Sequence, residues 1–107
     1  ITSPTFVLIR EYAIPEKPHC LYHIDLYRLG SLEEAWALGL EEYVYGRGIC
    51  VIECAEKARE LLPDEHLWVR LEYVSENKRS LTFQASGDRY LDLLGHLQQQ
   101  AFGVADD

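Results

Sequence analysis

The stretch Gly48-Ile49-Cys50-Val51-Ile52-Glu53 constrains this chain more than any other, because four apolar residues run without polar alternation and stop on a carboxylate. A short, β-branched run of that kind predicts a strand covered on both faces, as in a sheet with helices on either side. The acid at its carboxyl end is then conspicuous. Open α/β sheets bind ligands just beyond the carboxyl ends of their strands, which puts Glu53 where a metal, a water or a phosphate is met. In nucleotide-binding proteins this is the position of the Walker B acid. Taken alone, a strand-ending acid more often simply opens a surface loop, and the rest of the chain must decide.

Bulk properties narrow the class. At 107 residues the chain has the length of one small domain, residues 1–107, with a single core. Its 48 % hydrophobic and 26 % charged content is that of an ordinary globular protein. A formal charge of -8 disfavours direct wrapping of a phosphate backbone, which depends on Lys and Arg displacing counterions, so any RNA is expected to be held by a partner. No window approaches a membrane span and no signal peptide is evident, which reads as a cytoplasmic protein. Cys20, Cys50 and Cys54 are an odd set without zinc spacing and read as reduced, structural thiols. The sequence opens on Ile1 and enters strand-like pattern within a few residues, as a chain missing its beginning would.

Taken in order, Thr2-Ser3-Pro4-Thr5 is turn-rich, and Phe6 to Ile9 predicts a strand. The hydroxyls beside Pro4 suit either a capped turn or a switch loop facing a phosphate or its magnesium. Leu21 to Tyr27 alternates, with Tyr22, Ile24 and Leu26 on one face and His23 and Asp25 on the other. That places a possible base beside a possible metal or water ligand. A surface pair fits the same spacing. No Gly-x-Ser-x-Gly elbow occurs, so serine nucleophile chemistry is set aside. Ser31 to Glu34 fits a capping box opening a short helix toward Leu38, with Gly39 as its stop and Trp36 and Leu40 as core anchors. Glu41 and Glu42 read as a solvated face, and Tyr43 to Gly48 as a loop.

Glu56 to Leu62 has helical composition and is ended by Pro63. His66 to Tyr73 and Leu81 to Ala85 alternate around a polar Glu76-Asn77-Lys78 turn and predict two antiparallel strands. A last helix from about Asp88 is expected to bury Tyr90, Leu91, Leu94 and Leu97, with Gly95 costing about 1 kcal/mol against alanine.

In order and spacing, Ser3-Pro4-Thr5-Phe6, His23-Ile24-Asp25-Leu26-Tyr27-Arg28-Leu29, Leu38-Gly39-Leu40-Glu41-Glu42-Tyr43 and Gly48 to Glu53 together resemble one family, TsaE, formerly YjeE. This is the small bacterial P-loop ATPase that works with TsaB and TsaD to make threonylcarbamoyladenosine next to the anticodon of tRNAs reading codons that begin with adenine. The resemblance runs from Ile1 to about Leu97. It implies a single α/β domain of P-loop NTPase type, a mixed sheet flanked by helices, that binds ATP or ADP and magnesium. Thr5 matches the threonine facing the terminal phosphate, Asp25 the acid near the attacking water, and Glu53 the acid that helps hold magnesium. Glu56 is a weaker candidate for the nucleotide site. Magnesium takes hard oxygen ligands and keeps several waters, so one carboxylate and an acid beside a water suffice.

The chain departs from the family pattern twice. Cys54 stands where family members usually carry tryptophan, which removes an aromatic wall. Nowhere do the 107 residues contain G-x-x-x-x-G-K-[ST], the Walker A strand-loop-helix signature that cradles the phosphates. These residues alone are therefore expected to bind ATP poorly and to hydrolyse it negligibly. Three functions follow. The chain is the later part of a TsaE-like ATPase, or a non-hydrolysing module that docks on TsaB and TsaD, or a metal-dependent hydrolase built on His23, Asp25 and Glu53. Sheet surface left bare by the absent loop and its strand would also invite self-association.

Overall fold

A computed structural model describes residues 8–103. The chain divides into two compact units, Ile1–Pro63 and Asp64–Asp107. The first unit holds a three-stranded sheet in the order β1-β2-β3, formed by β1 (Leu8–Ala13), β2 (Cys20–Asp25) and β3 (Ile49–Glu53). β1 runs antiparallel to β2, which a short loop allows, whereas β2 and β3 are parallel and so need the long helical crossover between them. The sheet is therefore mixed and flanked by helices, as the family resemblance implies.

The crossover begins as the capping box requires. Ser31 is extended at the N-cap of α1 (Leu32–Ala37), and its hydroxyl accepts the Glu34 N–H at 3.2 Å. The reciprocal bond is displaced by one residue, since the Glu34 carboxylate accepts from the Gly30 N–H at 2.6 Å. Gly39, at φ 78°, ends the helix in the left-handed region that glycine enters without a Cβ penalty. A second helix, α2 (Leu40–Val44), follows at once, where the sequence pattern suggested a solvated face and a loop. Five residues carry too little periodicity to announce a helix of their own.

Alternation in β2 sorts the core. Ile24 and Leu26 are fully buried, and with Leu29, Ala35, Leu40 and Ala58 they form the centre against which Ile9, Tyr22, Cys50 and Ile52 pack. Each fully buried branched side chain contributes about 1.5–3 kcal/mol over its exposed state. All of the sheet residues in this core share one face. The opposite face of β3 is open: Ile49 is 50 % and Val51 51 % exposed. This corrects the expectation of a strand covered on both faces, because among the described residues the helices of this unit pack on one side only. Trp36 is also corrected, being 67 % exposed on α1 while its neighbour Ala35 turns inward.

After β3 the chain turns through Cys54 at φ 59°, a left-handed conformation that costs a non-glycine residue roughly 1–2 kcal/mol. It then enters a short 3-10 segment, Ala55–Leu61, kinked at Ala58. The second unit is a hairpin of β4 (His66–Ser75) and β5 (Lys78–Ser86), with α3 (Asp88–Phe102) packed on both strands. Leu71 faces Leu81 and Val69 faces Phe83 across the ladder, as the alternation predicts. In α3, Tyr90 and Leu94 are half-buried, but Leu91 and Leu97 are exposed, contrary to expectation. A helix resting on a two-stranded hairpin has too little surface beneath it to cover a wide apolar stripe. No described helix is long and apolar enough to cross a membrane.

Candidate functional site

The parallel register of β2 and β3 builds the site. It pairs His23 with Val51 and Asp25 with Glu53, so the two acids end adjacent strands side by side. Side chains alternate along both strands, and paired residues in a ladder share a face, which puts His23, Asp25, Val51 and Glu53 together. This is the open face of the sheet. The ladder continues one step past the acids, where the Leu26 N–H donates to the Glu53 carbonyl at 3.1 Å, so both strand ends are held in place.

Each acid is oriented by a specific contact. Asp25 Oδ1 accepts the Tyr27 N–H at 3.0 Å, an Asx-type turn that leaves its second oxygen free of that bond. Glu53 Oε2 lies 2.5 Å from His23 Nε2, a diagonal contact across the strand pair. With the His23 and Glu53 side chains 36 % and 57 % exposed, this pair adds only about 0–1 kcal/mol to stability. Its value lies in geometry. Lys57, from the 3-10 segment, lies 5.6 Å from the Tyr27 ring centroid and ties the loop after Asp25 to the segment after Glu53.

Cys54, between Glu53 and the 3-10 segment, senses the same acids. Partial burial raises its thiol pKa, and the charges of Glu56, Asp25 and Glu53 add to that, against a smaller lowering by Lys57. A thiol kept protonated is a poor nucleophile and a poor metal ligand. Glu56 itself is exposed in the first turn of the 3-10 segment. Thr5 lies outside the described residues.

Donor chemistry at the acids suits a hard cation: two carboxylates, each with one oxygen not used by these internal hydrogen bonds, open to solvent water. No group of three or more His, Cys, Asp or Glu among the described residues is placed to hold a metal by protein ligands alone. A donor set of two carboxylates suits magnesium, which usually keeps several waters and takes one or two carboxylates, better than zinc, which wants four close ligands and favours N and S. Sequence reasoning put His23 and Asp25 on one face but did not find the His23–Glu53 contact. That contact depends on the β2/β3 register, which only the long crossover sets.

Fold and site together define a class: a mixed α/β protein with paired acids at the carboxyl ends of adjacent parallel strands. A family model described as threonylcarbamoyl adenosine biosynthesis protein TsaE matches residues 1–81. The chain belongs to the TsaE family. It is 41 % identical over 90 residues to the tRNA threonylcarbamoyladenosine biosynthesis protein TsaE of Bacillus subtilis, an alignment covering 84 % of this chain and 54 % of that protein. The TsaE protein of Treponema pallidum is 42 % identical over 82 residues, covering 77 % of this chain and 58 % of that one. A crystal structure of Bacillus subtilis YdiB superposes with a TM-score of 0.68 at 35 % identity, covering 94 % of this chain and 61 % of the other. The chain thus spans little more than half the length of the relatives it matches.

Proposed function

We propose that these residues supply the acidic half of a magnesium–nucleotide site in an ATPase that acts in tRNA threonylcarbamoyladenosine biosynthesis. The observation that carries the reading is the Asp25–Glu53 register, two carboxylates side by side at the carboxyl ends of parallel strands. The names of the TsaE relatives supply the pathway. Magnesium, when bound, would neutralise developing charge on the transferred phosphoryl group. Glu53 would hold the ion through its free oxygen. Asp25 would orient the attacking water through the oxygen that Tyr27 leaves free, and Thr5 would face the terminal phosphate. Glu56 is a weaker nucleotide contact. ATP and ADP would rest chiefly on a Gly-Lys-Thr or Gly-Lys-Ser loop, which these 107 residues do not contain. The protein would work in the cytoplasm with TsaB and TsaD, meeting tRNA through them.

The other reading is a non-hydrolysing module that docks on TsaB and TsaD. The test begins with the gene sequence upstream of the codon for Ile1. An in-frame Gly-Lys-Thr or Gly-Lys-Ser loop predicts an ATP-hydrolysing product that loses turnover in Glu53→Ala and in Asp25→Ala while keeping its fold. Unchanged turnover in both variants would refute the roles. A start codon close to Ile1 with no such loop, together with docking that survives Glu53→Ala, would favour the module.

A further inference from the structure

We infer that His23 is a positioning residue for the Glu53 carboxylate, and that it tunes the site toward magnesium and away from calcium. The inference rests on the reading of Glu53 as a cation ligand. A nitrogen and an oxygen 2.5 Å apart need a proton between them, and where Glu53 serves as a carboxylate ligand that proton lies on His23 Nε2, which then donates to Glu53 Oε2. The bond runs diagonally, from the residue paired with Val51 to the residue two further along β3. A glutamate half in solvent has three torsions to fix before it can hold an ion. The imidazole, carried on a ladder-bonded strand, fixes them in advance, as outer hydrogen-bond partners of metal-binding carboxylates do.

Selectivity follows from the oxygen that is used up. With Oε2 bonded to the ring, Glu53 offers one oxygen and acts as a one-point ligand. Magnesium is content with that, since it takes octahedral geometry with several waters retained. Calcium takes 6–8 oxygens and profits from bidentate carboxylates. Loss of the imidazole would release the second oxygen, weaken the fixed geometry and favour the larger ion. A histidine that merely decorated the surface would alter neither quantity.

The test titrates the 107-residue chain with manganese, as a paramagnetic stand-in for magnesium, and follows broadening of the Asp25 and Glu53 amide resonances; calcium is titrated separately by shift perturbation. His23→Leu removes the donor, whereas His23→Gln keeps an amide donor of similar reach. The expected result is a loss of about 10-fold or more in manganese affinity for His23→Leu. His23→Gln should stay within about 3-fold of the parent, and the manganese-to-calcium ratio should fall only in His23→Leu. An unchanged affinity and ratio in His23→Leu, or equal losses in both variants, would overturn the inference. Glu53→Gln separates the two levels of argument: if it leaves manganese binding intact, the cation-ligand reading itself fails. In the parent chain, the long-range nitrogen–proton spectrum of His23 must show the proton on Nε2. The Nδ1–H tautomer would overturn the inference without any variant.

Discussion

Replacing Gly48 by alanine should destabilise the chain by about 2 kcal/mol, and the structure gives both signs of the calculation. An added Cβ would lie 2.4 Å from Tyr22 Cε2 and 2.8 Å from the Cys20 carbonyl oxygen. Neither neighbour can easily give way. The Tyr22 ring sits edge-on against Tyr43 at a centroid distance of 5.0 Å, and the carbonyl belongs to the backbone of β2. Overpacking of this kind costs about 1–3 kcal/mol. Breaking the aromatic pair to relieve it forfeits roughly 0.5–1.5 kcal/mol more. Against this, alanine recovers about 0.4–1 kcal/mol of the backbone entropy that glycine loses on folding. The clash wins. Urea unfolding followed by far-UV circular dichroism should therefore show a midpoint lowered by about 1 M, for an m-value of about 1–3 kcal/mol/M. Gly95→Ala is the control, because nothing lies within 4 Å of its added Cβ in α3 and the helix should gain up to about 1 kcal/mol. In a Tyr22→Ala background Gly48→Ala should cost less than in the parent but still destabilise, since the Cys20 carbonyl remains. A Gly48→Ala midpoint at or above the parent's would refute the reasoning.

Ser31→Ala removes the side-chain acceptor of the Glu34 N–H and should cost about 1 kcal/mol in the same urea assay; a loss below a few tenths would mean the cap is not used. Cys20 donates its thiol proton to Glu11, and this bond, with desolvation and the Glu11 charge, raises its pKa. Glu11→Gln should therefore speed alkylation of Cys20 by iodoacetamide at pH 8, read by mass spectrometry, and an unchanged rate would remove Glu11 as the cause. Burial raises the Cys50 pKa above its ordinary 9.0, so as pH rises past 9.0 the unfolded chain releases a proton that the folded chain keeps, and stability falls. Thermal melts between pH 8 and 10 should show a shallower decline in Cys50→Ala than in the parent.

Local chemistry was legible where its signal was strong. The Ser31 cap, the Gly39 stop, the β4/β5 alternation and the start of α3 at Asp88 could all be read from residues close together in the chain. What failed depended on neighbours far away in sequence. Trp36 looks like a core anchor by type, but its position on α1 turns it outward. The apolar run of β3 looks doubly covered by type, yet only Cys50 and Ile52 face helices. Asp25 and Glu53 were each singled out as candidate site residues through the family pattern. Their side-by-side pairing, and the reach of His23 to Glu53, required the parallel register that residues 26–48 set by folding back across one face.

The open face of β3 and the side-by-side placing of the acids are physically one feature. Ile49 and Val51, half exposed, lie on the same face of β3 as Glu53, and β2 adds His23 and Asp25 to that face. Apolar strand residues flank the acids, and both stand in water. In that setting carboxylates interact weakly with a cation, because Coulomb energy at 4 Å is about 1 kcal/mol in bulk water and about 4 kcal/mol near an effective dielectric of 20. An element that covered Ile49 and Val51 would gain about 25 cal/mol for each Å² of apolar surface it hid. It would also wall the acids from bulk solvent and strengthen their hold on a cation. Closing the face and completing the site are thus thermodynamically linked, so an ion and a triphosphate bound at Asp25 and Glu53 would stabilise the same covered state that Ile49 and Val51 favour. On a chain of net charge -8 that linkage would run through the metal first, since the two carboxylates would repel an unaccompanied triphosphate.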